Sequence, residues 1–285
     1  TIDELLETDD KLVLFLGDIG VFGFRNALSK FPERVYNIGI LEQSTVGLAA
    51  GLSMQGFVPV VHTIAPFIVE RALEQIKNDF GYQRLGGNFV SVGASYDYSA
   101  LGSTHHCPAD VGILKNVPEI EIVLPGTAAE FDSLFKQSYK NGQPTYFRLS
   151  EKSNSNSEDV VFGKANVIKK GRIATVIAAG TMLDRVKEAC RDMDVTILYY
   201  TTLHPFDGET LRNNICGDKI VICEPYYSGA LALDVAEAVA GRKVETLFIG
   251  VPREFLRNYG TESEQDEFLK LTPDGIKRRI GKFIN

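Results

Sequence analysis

Residues 35–56, VYNIGILEQSTVGLAAGLSMQG, decide how the rest of this chain is read. The stretch begins as a short apolar run, turns at Gly39, and puts Glu42 at the start of a segment rich in small residues. A strand leading into a helix is the repeating unit of a parallel α/β fold. Glu42 has an ordinary reading, because a carboxylate in the first helical turn complements the positive end of the helix dipole. Its flanks add a second. Ile38, Ile40 and Leu41 surround it with apolar side chains, and burial of that kind raises a carboxyl pKa. A Glu kept protonated near neutral pH can donate a hydrogen bond or shuttle a proton. Gly47, Ala49, Ala50 and Gly51 let another helix approach closely, which suggests a buried contact within the chain or with a partner.

Outward from this stretch the same rhythm repeats. KLVLFLGD (11–18) reads as a parallel strand buried on both faces, and VYNIG (35–39) and VPVVHT (58–63) follow it. NFVSVGA (88–94), EIVLP (121–125) and TYFRLS (145–150) are three more. Helices are expected over 22–29, 42–55, 66–80 and 128–139. Val69, Ala72, Leu73, Ile76 and Phe80 give the third of these one apolar face. SEKSNSNSED (150–159) has no apolar period and reads as a linker. Beyond it come strands at 172–180, 195–200, 219–225 and 244–252 and helices at 182–192 and 229–240. Thr272-Pro273-Asp274 caps a last helix. The expected fold class is α/β with two doubly wound domains, residues 1–150 and 161–285, joined by residues 151–160.

Composition removes several function classes. The formal net charge is −7 and no basic stretch tracks a phosphate backbone, so nucleic acid is not an expected partner. No apolar run reaches membrane-spanning length, and the acidic opening TIDELLETDD does not read as a signal peptide. Cys107, Cys190, Cys216 and Cys223 have the spacing of neither a zinc site nor a disulfide framework, which points to a reducing, cytoplasmic setting. Adjacent side chains point apart in extended chain, so His105-His106-Cys107 is not expected to hold a metal. GDIGVFG (17–23) lacks the glycine spacing of a dinucleotide fingerprint. His62 and His204 read as structural.

NIGILEQSTVGLAAGLSMQGFVPVVHT (37–63) resembles the pyrimidine-binding domain of the transketolase family of thiamine-diphosphate enzymes. That family includes deoxyxylulose-phosphate synthase and the β subunits of pyruvate-dehydrogenase-type enzymes. The likeness centres on Gly39-Ile40-Leu41-Glu42-Gln43 and extends over nearly the whole chain. Gly102-Ser103-Thr104-His105-His106 is similar to the family's Thr-His loop. FGKANVIKKGRIATVIAAG (162–180), His204-Pro205-Phe206-Asp207 and VPREF (251–255) resemble its smaller C-terminal domain. The resemblance implies that Glu42 hydrogen-bonds N1′ of the cofactor's aminopyrimidine, and that Asp18 and Ile40 border the cofactor. Residues 62–71 would form the pyrimidine pocket, with Ile68 or the adjacent Phe67 against the ring. Arg71 matches an Arg of the deoxyxylulose-phosphate synthase type. His105 would lie near the substrate carbonyl, able to donate a hydrogen bond or move a proton, with His106 beside it in place of a Gln.

Two departures from the family concern the substrate. Leu101 stands where transketolases carry an Asp that faces a sugar hydroxyl. Glu151 stands where they carry an Arg that grips the sugar phosphate, and Arg148 is the expected substitute. The family holds the cofactor's diphosphate and Mg²⁺ on a separate domain with a Gly-Asp-Gly…Asn motif. This sequence has none, so the resemblance assigns Mg²⁺ to a companion chain. The implied protein is one subunit of an α₂β₂ split transketolase that moves a two-carbon ketol unit from a ketose to an aldose. The alternative is a 2-oxo acid decarboxylating and ligating enzyme of the deoxyxylulose-phosphate synthase or dehydrogenase β-subunit type. An intact Glu42 and His105 weigh against a non-catalytic scaffold. Which sugars react, and whether they are phosphorylated, stays open.

Overall fold

Parallel strands covered on both faces need unbroken apolar runs, and these runs set the strands of the fold. The computed structural model describes residues 1–285. The first half contributes Leu12–Leu16 (β1), Val35–Asn37 (β2), Val58–Ile64 (β3), Gly87–Val92 (β4), Glu121–Val123 (β5) and Pro144–Arg148 (β6). The second half contributes Asn166–Lys169 (β7), Ala174–Ala179 (β8), Val195–Tyr200 (β9), Thr202–His204 (β10), Lys219–Tyr227 (β11) and Glu245–Val251 (β12). They form a seven-stranded sheet of order β10-β5-β6-β4-β3-β1-β2 and a five-stranded sheet of order β12-β11-β8-β9-β7. Two edge strands, β10 against β5 and β7 against β9, run antiparallel; the other pairings are parallel.

The core follows the two-residue alternation of a strand. Leu12, Leu14 and Leu16 pack in one apolar cluster, together with Val176 and Ala178 of the other sheet. Val13 and Phe15 point the opposite way into a second cluster, shared with Ile177 and Ala179. The two sheets therefore share both apolar layers. Two further features tie the halves together. β10 crosses from the second half to extend the first sheet, and His204 Nδ1 donates to the Ile120 carbonyl at 2.6 Å. The Ser/Asn stretch that reads as a linker is pinned. Asn154 is buried, its amide donates to the Gly126 carbonyl at 2.8 Å, and its side chain donates to the Gly180 carbonyl at 3.2 Å.

The segment after β3 departs from expectation. In place of one α-helix over 66–80, wide π turns at Phe67–Arg71 and Ile76–Tyr82 flank a single α turn at Leu73–Gln75. The first helix of the chain's interior is also shorter than expected, Arg25–Lys30. What matters for function is strand order. β4, β3, β1 and β2 lie side by side, so the segments leaving their carboxyl ends converge, as in open α/β sheets generally. Asp18 follows β1, Glu42 follows β2, Arg71 follows β3 and His105 follows β4.

Candidate active site

Gly39 takes φ 80°, a conformation open to glycine, and turns the chain from β2 into the helix Glu42–Met54. The Asp18 amide donates to Asn37 Oδ1 and Asn37 Nδ2 donates back to Asp18 Oδ1, each at 3.1 Å, and the Gly39 amide donates to the same Asn37 oxygen. Asp18 and Asn37 thus fix the approach to Glu42, with the Asp18 side chain exposed.

The Glu42 side chain is only 2 % exposed. Its surroundings correct the sequence reading. Ile40 and Leu41 lie 62 % and 54 % exposed, because the turn at Gly39 sends them outward, away from the carboxyl. What faces the carboxyl is polar. Thr63 Oγ1 donates to Oε1 at 3.3 Å and Arg71 Nη1 donates to Oε2 at 2.6 Å. Arg71 is 36 % exposed, so its guanidinium spans from the buried carboxylate to water.

Around this pair sits an aromatic wall. The Arg71 guanidinium lies 4.2 Å from the centroid of Phe67. Phe67 meets His105 edge-on at 5.3 Å between centroids, and Tyr98 meets His105 at 6.3 Å. His105 Nδ1 is 3.0 Å from the Thr104 hydroxyl. Ile68 is not available to a ligand. It is fully buried in the core, and the half-buried Phe67 is the residue on the site side.

Arg148 is corrected as well. It is 3 % exposed, its Nε donates to Asp110 Oδ2 at 2.6 Å, and its Nη2 donates to Ser95 Oγ at 2.6 Å. A cation in the interior stays only with a partner of opposite charge. Asp110 holds Arg148 there, and it is no substrate ligand. His106 is buried with no hydrogen-bond partner on Nε2, and burial pushes its pKa down. His62 donates from Nδ1 to the Val90 carbonyl at 2.9 Å, and burial likewise lowers its pKa. Thr63 lies inside the 62–71 segment that the resemblance gave to the pyrimidine pocket, where it had no role of its own, whereas Asn37 and Tyr98 are members of this cluster that sequence reasoning missed. Nothing in the sequence separates Thr63 from an ordinary β-branched strand residue.

Residues 1–156 match the transketolase pyrimidine-binding domain family. The chain belongs to the transketolase family. Among its relatives is a functionally uncharacterised 33.6 kDa protein of the fasciation locus of Rhodococcoides fascians. It is 38 % identical over 100 % of this chain and 92 % of its own length. A subunit of the apulose-4-phosphate transketolase of Actinobacillus succinogenes is 31 % identical over 75 % of this chain and 72 % of its own length. A solved split-gene transketolase, an inactive β4 tetramer, superposes with a TM-score of 0.86 at 26 % identity, covering 99 % of this chain and 94 % of that one.

The transketolase family implies thiamine diphosphate. The site fits the pyrimidine half of that cofactor. The buried Glu42 carboxyl accepts one bond on each oxygen and keeps a further lone pair on each for a ring nitrogen, and the half-buried Phe67 ring stands against the Arg71 that pairs with it. The chain gathers no group of three or more His, Cys, Asp or Glu side chains able to hold a metal ion. No helix is long and apolar enough to cross a membrane.

Proposed function

We propose that this chain is one subunit of a split, thiamine-diphosphate- and Mg²⁺-dependent transketolase that moves a two-carbon ketol unit from a ketose to an aldose. One observation carries the reading: Glu42 is buried at the carboxyl ends of parallel strands and paired with Arg71, which lies on Phe67, which in turn meets His105. Bound there, thiamine diphosphate supplies a carbon nucleophile and an electron sink. Glu42 holds a proton at N1′ of the aminopyrimidine, and the Thr63 hydroxyl keeps one carboxyl oxygen oriented. Phe67 offers an apolar edge to the ring. His105, braced by Thr104 and Phe67, donates a hydrogen bond to the substrate oxygen and moves its proton. A companion subunit holds the diphosphate and Mg²⁺.

Two relatives support the companion, since one is named as a subunit of a transketolase and the other as a split-gene enzyme. So does the outer face of the helix Glu42–Met54. Leu48 and Met54 are 48 % and 61 % exposed there beside the small Gly47 and Gly51, next to exposed Ile40 and Leu41. An α₂β₂ assembly in a reducing cytoplasm is part of the proposal, and the four unpaired cysteines support that setting. The test is reconstitution with the companion, thiamine diphosphate and Mg²⁺, assaying ketose donors against pyruvate. Turnover of a ketose with an aldose acceptor supports the reading. Turnover of pyruvate alone favours the decarboxylating alternative. Full activity of this chain without a companion refutes the split arrangement.

A further inference from the structure

His105 touches two aromatic rings, and one of them belongs to a turn that is anchored in the second half of the chain. Gly93, just after β4, takes φ 75°, and a Cβ there would come within 2.4 Å of Tyr98 Cε2. The half-buried Tyr98 ring therefore lies flush against this glycine, where a side chain at position 93 would displace it. From there it meets the His105 ring edge-on, with 81° between the planes. Phe67 meets the same imidazole at 70°. Two aromatic contacts narrow the range of angles the imidazole can sample.

Tyr98 is the last of three consecutive residues, and the two before it are tied down separately. Asp97 Oδ2 accepts from the Ala94 and Glu151 amides, each at 2.9 Å, and Oδ1 accepts from the Ser150 hydroxyl at 2.9 Å. The buried Tyr96 hydroxyl donates to Asp266 Oδ1 at 2.5 Å. Asp266 lies on the helix Glu262–Leu269 and also receives Lys152 Nζ and Arg185 Nη2, each at 2.9 Å. A buried carboxylate held by two cations and a phenol is a fixed point, because losing any donor leaves its charge less compensated. The turn passes this fixity on to the histidine. The Leu101 amide donates to the Tyr98 carbonyl at 2.9 Å, and the Cys107 amide donates to the Ser95 carbonyl at 2.7 Å, closing residues 95–107 into one loop around His105.

Resting on the transketolase reading of His105, we propose that Tyr98 is a positioning residue for this histidine and that the Tyr96–Asp266 contact holds Tyr98 in place. The second half of the chain then sets the aim of His105 while supplying no reacting group. Tyr98 acts through the imidazole by the edge of its ring, so its hydroxyl is dispensable.

The test uses the complex reconstituted with the companion, thiamine diphosphate and Mg²⁺, assayed with a ketose donor and an aldose acceptor. Tyr98→Leu is expected to lower kcat about ten- to a hundredfold, as a small misplacement of a proton-transfer group does, with KM and coenzyme affinity within about twofold. Tyr98→Phe, which keeps the ring, should recover most of the loss. Tyr96→Phe removes only the hydroxyl bonded to Asp266 and should give a smaller drop, again confined to kcat. An unchanged kcat in Tyr98→Leu, a loss that appears in coenzyme affinity, or no recovery by Tyr98→Phe overturns the proposal. Imidazole NMR signals of the ¹³C-histidine-labelled chain separate this claim from the transketolase reading, since they need no turnover. The chain has four histidines, and His105→Asn identifies the signal of interest. Tyr96→Phe keeps both rings, so it moves that signal only if the bond to Asp266 holds Tyr98 against His105; a stationary signal overturns the proposal. If Tyr98→Leu does not fold, Tyr96→Phe decides by both readouts. If the wild-type complex turns over no ketose, the transketolase reading is at fault and the NMR result alone decides the anchoring of His105.

Discussion

Arg71→Met should destabilise the coenzyme-free chain, and the structure sets the size of the effect. The substitution keeps an unbranched side chain against Phe67 but removes the only cation that touches Glu42. Removing one partner of a fully buried ion pair costs about 3–5 kcal/mol, because the other charge is left without a counter-ion. Arg71 is 36 % exposed, so water reaches its end of the pair and screens it. The cost is accordingly scaled down to about 1–2 kcal/mol. For a chain of this size that lowers the melting midpoint by roughly 2–3 °C. The assay is thermal and urea unfolding followed by circular dichroism, at one protein concentration, for Arg71→Met, Glu42→Gln and the double variant. The double variant should lose about 1 kcal/mol less than the sum of the singles. Single effects that add within about 0.3–0.5 kcal/mol would show that the two residues are not coupled. An unchanged midpoint in Arg71→Met would refute the reasoning outright.

Other outcomes follow from the same geometry. His105→Asn in the reconstituted complex should lower kcat by about 10²–10⁴-fold with coenzyme affinity unchanged; activity within twofold of wild type would remove His105 from the chemistry. Ile68→Ala should cost about 2–5 kcal/mol of stability and leave coenzyme binding alone. Phe67→Ala should cost less than about 1.5 kcal/mol and weaken that binding, so the opposite pattern by calorimetry and urea unfolding would restore Ile68 as the ring contact. Burial pushes the Glu224 carboxyl up from 4.5 to about 7, against hydrogen bonds from the Gly229 and Leu231 amides that favour its charged form. The folded chain therefore keeps a proton that the unfolded chain releases above pH 4.5. This contribution to stability is full below that value and is lost as pH rises towards about 7. Glu224→Gln should flatten that part of the urea-midpoint profile; an unchanged slope contradicts the assignment.

The long parallel strands were legible because each is a mostly apolar run, wholly so in β1 and broken only by Thr175 in β8 and Thr196 in β9. β10 was not, since three residues lying on the edge of the other half's sheet carry no periodic signal. Glu42 stood out through its motif, but its surroundings did not. Thr63 and Arg71 reach it from 21 and 29 residues further along the chain, a distance that no local pattern spans. The choice between Phe67 and Ile68 turned on a widened helical turn, and apolar spacing does not distinguish a π turn from an α turn. Arg148 looked available because its partner Asp110 lies 38 residues away in sequence and beside it only in the fold.

The central claim is that the Glu42 carboxyl acts on the aminopyrimidine of thiamine diphosphate. Its most direct test is hydrogen–deuterium exchange at C2 of the coenzyme, measured by quenched-flow NMR on the reconstituted complex. The wild-type complex should accelerate exchange over free coenzyme, and Glu42→Gln should bind the coenzyme yet lose the acceleration, by about 10²–10⁴-fold. Exchange as fast in Glu42→Gln as in wild type, with the coenzyme bound in both, would contradict the account.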